Sequence, residues 1–258
     1  MIGAPITSVR TPGMLEARMA VAGIEAHVDV RHVEPEDLAA LMRKVRYDSS
    51  IDGLMVTMPH KRNVLSHLAR VSSTASLIGS VNAVKRMENG ELAGAQFDGI
   101  AVVRALTIAG FEISDASILM FGFGGAGTAI AHALLVSGCR RIAVHDEAID
   151  KLAIDAALRR LAMGPSTAAN ASVWNGGSGF DILVNATPLG MKKDDASPFA
   201  AEDVAAAKCV VDIVADPPAT ELAEMVMSSD ATLVTGRDMV AAQIDPIFDW
   251  LVSQDVEQ

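Results

Sequence analysis

Short apolar segments alternate with amphipathic segments through the second half of the chain. A run of apolar residues between glycine and polar residues is typical of a strand buried on both faces of a parallel sheet. Such runs predict strands at 117–121, 141–145, 181–185, 209–214 and 232–234. Apolar residues at helical spacing predict helices at 129–136, 147–161 and 221–228. This alternation predicts a doubly wound α/β domain with a parallel sheet.

The first hundred residues are also α/β in pattern, although their elements are less regular. The pattern predicts helices at 11–22 and 38–45 and strands at 27–33, 53–58, 80–86 and 91–96. The last two strands flank Asn89-Gly90, which favours a hairpin turn because this pair tolerates positive φ. No proline- or serine-rich linker is present, so we place the domain boundary at a helix that begins near Gly99. Residues 1–99 then form the first domain and residues 100–237 the second.

The composition narrows the class of function. The chain has 258 residues, of which 50% are hydrophobic and 21% charged, and these values exclude a disordered chain. Its 32 acidic and 21 basic side chains give a net charge of -11, which disfavours nucleic acid and anionic membranes as partners. No apolar run approaches the ~18 residues of a membrane span, and the amino terminus lacks a signal-peptide pattern. We therefore expect a cytoplasmic protein that acts on a small molecule.

The two cysteines carry no metal or disulfide signal. Cys139 and Cys209 lie far apart in the sequence, and neither is beside a histidine or another cysteine. Zinc ligands and disulfide frameworks both require closer or repeated spacings. We expect both residues to be small buried apolar side chains and expect no metal site.

A complete G-x-G-x-x-G motif lies between the first strand of the second half and the helix after it. Its residues are Gly122, Gly124 and Gly127, with Gly125 and Ala126 before the last glycine. The glycines allow a tight turn, a close approach of backbone amides to a pyrophosphate, and close packing of helix on strand. A purely structural turn is the alternative, and the position between strand and helix favours dinucleotide binding.

Asp146 follows the next predicted strand, where dinucleotide-binding folds place the acid that binds the ribose. A carboxylate accepts hydrogen bonds from ribose hydroxyls but repels the 2′-phosphate of NADP, so we expect NAD to be preferred over NADP. Arg140 and Arg141 precede the strand, which leaves open a basic contact from elsewhere. His145 is expected to pack beside the adenine pocket rather than to take part in chemistry.

Three polar residues in the first half are candidates for chemistry. Lys61 follows an apolar strand and Pro59, Asn82 ends the segment Gly79-Ser80-Val81, and Asp98 comes just before Gly99. The default interpretation of a lysine is a solvated surface amine, and the other two are also common turn residues. The alternative is a lysine held in a cleft, where it exchanges a proton with a substrate alcohol.

These segments together resemble the shikimate and quinate dehydrogenase family, and the resemblance covers nearly the whole chain. The matching segments, in order, are Gly3-Ala4-Pro5-Ile6, Arg10-Thr11-Pro12, Val56-Thr57-Met58-Pro59-His60-Lys61, Gly79-Ser80-Val81-Asn82-Ala83, Phe97-Asp98-Gly99, the glycine motif, Asn185-Ala186-Thr187-Pro188-Leu189-Gly190-Met191, Asp212, Asp216-Pro217, and 236–239 with Gln243. Any one segment has little specificity, whereas their order and spacing are specific.

The resemblance implies a two-domain architecture. An N-terminal α/β substrate-binding domain would precede a Rossmann-type dinucleotide-binding domain, and the C-terminal helix, within 238–258, would pack back onto the first domain. It also implies reversible hydride transfer between the nicotinamide ring and a ring hydroxyl of a cyclic hydroxy acid such as shikimate or quinate. No metal is needed, and the protein would be a monomer or a homodimer.

The resemblance also assigns roles to residues. It implies that Lys61 and Asp98 are the catalytic pair. The implied substrate-binding residues are Val9, Thr11, Thr57, Asn82 and Gln243. Besides the glycine motif and Asp146, the implied cofactor-binding residues are Asn185, Ala186, Thr187, Gly236 and Met239.

The sequence departs from the family pattern near the implied substrate. Two hydroxyl residues usually hold the substrate carboxylate, but here the two positions are Val9 and Thr11. Ala215 replaces a common tyrosine, and Gln96-Phe97 replaces the usual Asn-Thr before Asp98. We therefore expect poor activity on shikimate, with quinate or a differently substituted relative preferred. Within the last helix, we expect Pro246 to cause a kink or a restart.

Two other functions are compatible with the fold. One is a catalytically silent NAD-binding paralogue that acts as a sensor or an interaction module. The other is a folate-linked dehydrogenase. The presence of Lys61 and Asp98 favours an enzyme over the first, and the segments around Asn82 and Asp98 disfavour the second.

Overall fold

The computed structural model describes residues 1–6, 10–162 and 170–257. The chain forms two compact units. The first comprises Met1–Asp98 and Gln243–Gln258, and the second comprises Gly99–Ala242. We had placed the corresponding boundaries after residues 99 and 237.

The first unit combines short strands with helices. Its described helices are α1 (Thr11–Val21), α2 (Leu38–Tyr47) and α3 (Ser73–Ile78), and its described strands are β1 (Ile2–Gly3), β2 (Arg31–His32), β3 (Gly53–Met55), β4 (Arg70–Val71), β5 (Ala83–Arg86) and β6 (Leu92–Ala95). Helix α2 illustrates the local pattern, because its buried residues Leu38, Met42 and Val45 recur on one helical face.

Four of these strands form a mixed sheet in the order β3-β5-β6-β4. The hairpin predicted around Asn89-Gly90 is present, with β5 and β6 antiparallel and Ala83 opposite Ala95. Strands β1 and β2 pair in parallel, and a single bridge joins Ile2 to Val56 at the end of β3. This arrangement brings the ends of β3 and β6 to the start of β5. Lys61 and Asp98 follow those two ends, and Asn82 directly precedes β5.

The second unit alternates strands and helices. Helix α4 (Asp98–Ile108) belongs to this unit from its second residue onward. The elements that follow are β7 (Ser117–Phe121), α5 (Gly125–Val136), β8 (Arg141–His145), α6 (Lys151–Ala162), β9 (Asn170–Val173), β10 (Ile182–Asn185), α7 (Ala201–Ala206), β11 (Cys209–Asp212), α8 (Glu221–Met227) and β12 (Thr232–Thr235). The last helix, α9 (Gly236–Val252), begins in this unit and ends in the first.

All six strands of the second unit are parallel and lie in the order β12-β11-β10-β7-β8-β9. The order reverses next to β7, as in the doubly wound fold that binds dinucleotides at this point. Strands β10 and β11 are entirely buried, which explains their continuous apolar sequence. The predicted fold class, an α/β protein with a Rossmann-type parallel sheet, is confirmed.

Six predicted strands are shorter than expected. The strand predicted at 80–86 begins only at Ala83, because the Ser80 N–H still donates to the Ala75 carbonyl of α3. The strands predicted at 91–96 and 181–185 lose only terminal residues.

The strand predicted at 27–33 is reduced to β2, because residues 27–30 have no described ladder partner and the Val28 N–H donates to the Glu16 carboxylate at 2.7 Å. The strand predicted at 53–58 ends at Met55, and the strand predicted at 209–214 ends at Asp212. In these two cases the strand ends where its register with the neighbouring strand ends.

The helix predicted at 147–161 begins only at Lys151. The Asp146 carboxylate accepts hydrogen bonds from the N–H groups of Ala148 and Ile149, and the Asp150 carboxylate accepts from Leu152. Asp146 forms a local turn that competes with the helix, whereas Asp150 caps the helix N-terminus, because its carboxylate also accepts from the Ala153 N–H at 3.3 Å. The helix therefore starts after the second aspartate.

Other differences concern elements that the sequence pattern missed or altered. The edge strand β9 and the short helix α7 were not predicted, because neither has a distinct apolar period. Helix α9 does not restart at Pro246, and the assigned helix runs on from Gly236 to Val252. Within the first unit, its Ile247 and Trp250 side chains pack with Phe97, and this burial stabilises the helix beyond the proline.

Candidate active site

The lysine and aspartate predicted as a catalytic pair are in contact in the first unit. Lys61 Nζ donates a hydrogen bond to Asp98 Oδ2 at 2.5 Å. The Lys61 side chain is 15% exposed and that of Asp98 is 5% exposed. The pair is therefore largely removed from water, but the ammonium keeps some access to solvent.

Asn82 fixes the second oxygen of the carboxylate. Its Nδ2 donates to Asp98 Oδ1 at 3.0 Å and lies 3.4 Å from Gln243 Oε1. The Phe97 N–H donates to Asn82 Oδ1 at 2.9 Å, which determines the orientation of the amide. Asn82 is thus held between Asp98 and Gln243, two residues to which the resemblance also assigns roles.

Gln96 is a further member of this cluster that we noted only as a departure. It is buried, its Oε1 accepts a hydrogen bond from the Asp98 N–H at 2.8 Å, and its Nε2 donates to Ser80 Oγ at 2.9 Å. The bond to the backbone of Asp98 holds the start of α4. A signal was available in the sequence, since a glutamine within an apolar strand two residues before an acidic residue requires a polar partner.

His60 anchors the segment that carries Lys61. Its ring is fully buried, and Nε2 lies 2.7 Å from the carbonyl oxygen of Val33. Its Nδ1 has no hydrogen-bond partner among the described residues. A buried imidazole with one bonded nitrogen fixes the backbone next to Lys61.

The remaining predicted substrate residues of the first unit form no hydrogen bond, among the described residues, to the catalytic pair. Thr11 is buried at the first position of α1, and Thr57 is half-buried after β3. An added Cβ on Gly3 would lie 2.4 Å from Thr57 Cγ2, so glycine is required there. Within the described ranges, no hydrogen bond joins either threonine hydroxyl to Lys61 or Asp98. Val9 lies outside the described residues.

The glycine motif in the second unit forms the turn between β7 and α5. Gly122 has a φ of +96°, and an added Cβ would lie 2.4 Å from the carbonyl carbon of Ala186. An added Cβ on Gly127 would lie 2.2 Å from Gly122 O, whereas one on Gly124 would meet no atom within 4 Å. The first and third glycines are therefore required by packing, and the second leaves the turn open on its outer side.

The start of α5 fits a pyrophosphate group. The helix has twelve residues from Gly125 to Val136, and its first turn contains no acidic side chain. The backbone amides and the helix dipole make such an end favourable for an anion. Ala126 lies in this turn and presents only a methyl group, so the backbone stays accessible to a bulky ligand.

Asp146 lies directly against the glycine motif. Its Oδ2 accepts a hydrogen bond from the Phe123 N–H at 2.6 Å, while Oδ1 accepts from the turn that follows. The segment 145–150 contains two further acids, Glu147 and Asp150, and no lysine or arginine. This end of β8 is therefore acidic. His145 packs here with its ring centroid 4.8 Å from that of Phe121.

Asn185 organises the loop that follows β10. Its Nδ2 donates to Asp212 Oδ1 and to the Leu189 carbonyl, both at 3.0 Å. Its Oδ1 accepts from the Thr187 N–H at 3.0 Å and from the Thr187 hydroxyl at 2.6 Å. Ala186, between them, packs against Gly122. The loop is thereby fixed beside the glycine motif, as a cofactor-binding role requires.

Asp212 is a buried carboxyl that was not predicted as a site residue. Burial raises the pKa of Asp212, and hydrogen bonds from Thr220, Val214 and Asn185 oppose this effect.

The other two predicted cofactor residues, Gly236 and Met239, lie in the first turn of α9. An added Cβ on Gly236 would lie 2.4 Å from the Ile213 carbonyl oxygen, and Met239 is buried.

The described residues contain no group of three histidine, cysteine or acidic side chains that could hold a metal ion. Both cysteines are buried, and burial raises the pKa of Cys139 to about 11 and that of Cys209 to about 12. Over the same ranges, no helix is long and apolar enough to span a membrane.

Comparison with known proteins identifies relatives of the whole chain. A family model described as the shikimate dehydrogenase substrate binding domain matches residues 1–84. The protein named shikimate dehydrogenase (NADP(+)) of Citrifermentans bemidjiense is 34% identical over 257 residues, covering 96% of this chain and 87% of the relative. The similarity therefore includes both units.

Solved structures give the same result. Shikimate 5-dehydrogenase from Thermus thermophilus, in complex with NADP(H) and shikimate, is 27% identical with a TM-score of 0.84, covering 97% of this chain and 91% of that one. The ligand-free 5-ketofructose reductase of Gluconobacter sp. strain CHM43 is 26% identical with a TM-score of 0.82 and the same coverage. Proteins with this fold thus include enzymes named for different substrates.

Proposed function

Because the chain belongs to the shikimate dehydrogenase family, we propose that it transfers a hydride reversibly between a nicotinamide cofactor and a ring hydroxyl of a cyclic hydroxy acid. The candidate pairs are shikimate with 3-dehydroshikimate and quinate with 3-dehydroquinate. The observation that carries this proposal is the buried Lys61–Asp98 pair, which is held in place by Asn82. A silent cofactor-binding protein has no need of such a pair.

The chemistry at the substrate oxygen follows from the geometry of this pair. As a ketone becomes an alkoxide, Lys61 donates a hydrogen bond to the oxygen and then gives it a proton. Asp98 accepts the Lys61 N–H with one oxygen and the Asn82 amide with the other, so it orients the ammonium. A bound nicotinamide supplies or accepts the hydride. In the reverse direction, Lys61 accepts the proton from the substrate alcohol.

The proposed substrate contacts come from neutral polar groups. Thr11, Thr57, Asn82 and Gln243 offer hydroxyl and amide groups that suit the hydroxyls of a ring. Asn82 and Gln243 already lie within 3.4 Å of one another, so they form a preorganised pair of amides. Preorganised polar groups bind a substrate with little loss of side-chain entropy.

We infer that NAD is preferred over NADP, although relatives are named as NADP(+) enzymes. The support is the acidic segment around Asp146, which contains three carboxylates and no cation between residues 145 and 150. A 2′-phosphate near this segment would be repelled, whereas ribose hydroxyls donate well to a carboxylate.

A second candidate function is the reduction of a polyhydroxylated ketone that has no carboxylate. The observation that favours it is the aliphatic Val9 at a position where the family usually has a hydroxyl, together with Ala215 in place of a common tyrosine. Both changes remove hydrogen-bond donors for a carboxylate. The Gluconobacter structure, which is named 5-ketofructose reductase, has the same fold.

The test of the proposed function is a substrate screen with a variant of the catalytic lysine. Purified protein is assayed with NAD and NADP against shikimate, quinate and related cyclic hydroxy acids, and with NADH and NADPH against polyol ketones. Lys61→Met should lower kcat by about 10²–10⁴ while NADH binding is retained, because the cofactor contacts lie on other residues.

Lys44→Met is the matched control, since Lys44 is an exposed lysine of the same unit. It should leave kcat unchanged. Near-normal turnover by Lys61→Met would remove Lys61 from the mechanism. Absence of turnover on every compound by the wild type would favour the silent cofactor-binding paralogue.

A further inference from the structure

Asp212 is a buried carboxylate at the end of a central strand of the second unit. The residue is 3% exposed and is the direct neighbour of Asn185 in the parallel register of β10 and β11. Its Oδ1 accepts hydrogen bonds from Asn185 Nδ2 at 3.0 Å and from the Val214 N–H at 3.2 Å, and its Oδ2 accepts from the Thr220 hydroxyl at 2.6 Å. No cation is among these described partners.

A buried carboxylate without a cation costs free energy, which hydrogen bonds from ordered donors offset, so the donors around Asp212 are held in a fixed geometry. The bond to Asn185 has a definite geometric effect. Because Asn185 Nδ2 faces Asp212 and the Leu189 carbonyl, its Oδ1 must face Thr187, where it accepts from both the N–H and the hydroxyl. A reversed amide would place two donors against each other at Thr187. Asp212 and the Leu189 carbonyl thus fix the orientation of the Asn185 amide together, and Asp212 is the side chain of the two.

The orientation of Asn185 in turn fixes the loop against the glycine motif. The Ala186 N–H donates to the Phe121 carbonyl at 2.7 Å, at the end of β7. An added Cβ on Gly122 would lie 2.4 Å from the Ala186 carbonyl carbon and 2.6 Å from the Thr187 nitrogen. With so little space on that side, rotation of the Asn185 amide would force Thr187 away from the glycine motif.

We propose that Asp212 is a positioning residue for the cofactor, acting through Asn185 to hold Thr187 where the nicotinamide half binds. The proposal rests on the proposed function, since Thr187 is placed at the nicotinamide by the family resemblance. It predicts that loss of Asp212 weakens binding of the nicotinamide half and spares binding of the ADP-ribose half, which the glycine motif and Asp146 hold.

The test compares the dissociation constants of NADH and ADP-ribose, measured by calorimetry. Asp212→Leu should raise Kd for NADH about tenfold, which corresponds to about 1.4 kcal/mol, and leave Kd for ADP-ribose within about twofold. For Asp212→Asn, the Kd for NADH should stay within about threefold of the wild-type value. An amide at position 212 still offers an acceptor to Asn185 and Val214 and donates to the Thr220 hydroxyl.

Thr220→Val is the matched control. It removes the hydrogen bond to Asp212 Oδ2 and the cap that Thr220 provides to the Ala223 N–H at 3.0 Å, but it leaves the Asn185 contact intact. This variant should lose stability, as capping variants do, and keep its affinity for NADH. If Asp212→Leu does not fold, the smaller Asp212→Ala removes the same acceptor from Asn185 and should weaken the binding of NADH selectively.

Three results would overturn the proposal. The first is an Asp212→Leu variant that binds NADH with wild-type affinity. The second is an Asp212→Leu variant whose affinities for NADH and ADP-ribose fall equally. The third is a Thr220→Val variant whose affinity for NADH falls as much as that of Asp212→Leu. A wild-type protein that binds NADH but turns over no substrate would contradict the proposed function alone, because the binding comparison still decides the role of Asp212. A wild type that binds no NADH would overturn both.

Discussion

At the scale of single residues, the proposed preference for NAD rests on Asp146. Its carboxylate accepts the Phe123 N–H of the glycine motif, and the same segment adds Glu147 and Asp150 without a cation. A phosphate on the 2′-oxygen of the ribose would bring a second negative charge to this place. The cost of that repulsion is the physical basis for the expected preference.

We predict that the wild type has a higher kcat/KM with NAD than with NADP and that Asp146→Ser narrows the difference. The serine removes the charge that repels the 2′-phosphate and still donates or accepts one hydrogen bond. Glu112→Gln is the control, because it neutralises an exposed carboxylate of the second unit that lies outside the segment 145–150. A wild-type preference for NADP of about tenfold, or ~1.4 kcal/mol, would contradict the prediction.

The proposed substrate preference rests on a second residue, Val9, through its sequence alone. A charge-assisted hydrogen bond contributes roughly 1.5–3 kcal/mol to binding. An aliphatic side chain in place of a hydroxyl should therefore lower the affinity for a carboxylate substrate by about one to two orders of magnitude. We predict that Val9→Ser lowers the KM for shikimate and changes kcat less, because such a contact is equal in ground and transition states.

The control for this prediction is Val21→Ser, at a valine that is 84% exposed in α1. It should leave both constants unchanged. An unchanged or higher KM for shikimate in Val9→Ser would mean that the carboxylate is not bound at this position. In that case the second candidate, a polyol ketone, would gain support.

At the scale of elements, the end of α9 is held by a buried lysine. Lys85 Nζ, on β5, donates to the carbonyl oxygens of Trp250 at 2.9 Å, Ser253 at 3.0 Å and Asp255 at 2.5 Å. It also lies 4.3 Å from the centroid of the Trp250 ring. Burial lowers the pKa of Lys85, and the Asp255 carboxylate opposes this effect. The cation serves as a cap for the helix C-terminus.

We predict that Lys85→Met lowers the free energy of unfolding by about 1–3 kcal/mol, because it leaves several carbonyl groups without their donor. Amide hydrogen exchange in residues 250–257 should increase first. The control is Lys193→Met, since that lysine is exposed in a turn, and it should change stability by less than about 0.5 kcal/mol. Unchanged exchange at the C-terminus would show that Lys85 does not hold the helix end.

At the scale of the whole molecule, the chain is a protein with two compact units, each with its own apolar core. Both cysteines lie in the second unit and are at most 1% exposed. Burial raises the pKa of Cys139 to about 11 and that of Cys209 to about 12, so neither forms the reactive thiolate at neutral pH. Whether the molecule is a monomer or a homodimer stays a prediction.

We predict that the native protein does not react with a thiol reagent such as dithionitrobenzoate at pH 8. Both thiols should react in denaturant, with two equivalents released per chain, in agreement with the two cysteines of the sequence. The rate of labelling in intermediate denaturant then reports unfolding of the second unit. Rapid reaction of one thiol under native conditions would contradict the burial of that residue.

The sequence predicted the second unit better than the first. Strands β7 and β8 have the predicted bounds, because a strand buried on both faces is marked by its own apolar residues. The edge strands β2 and β9 were predicted too long or not at all, since their length depends on where a neighbour provides hydrogen bonds. In the site, the glycine motif was visible as a motif, whereas Lys61 and Asp98 were only candidates by position, and the family resemblance was needed to pair them.

The sequence by itself determined the features that depend on neighbouring residues. These include the alternation of strand and helix, the turn at Gly122 and the position of Asp146 after β8, because periodicity and turn chemistry act over a few residues. Only the tertiary structure decided which distant residues meet. Asn82 and Gln243 are 161 positions apart, yet their amides lie 3.4 Å apart. Asp212 acquires its effect on Thr187 only because β10 and β11 are neighbours in register. Hydrogen bonds between buried side chains depend on strand order and packing, and no local pattern of residues contains that information.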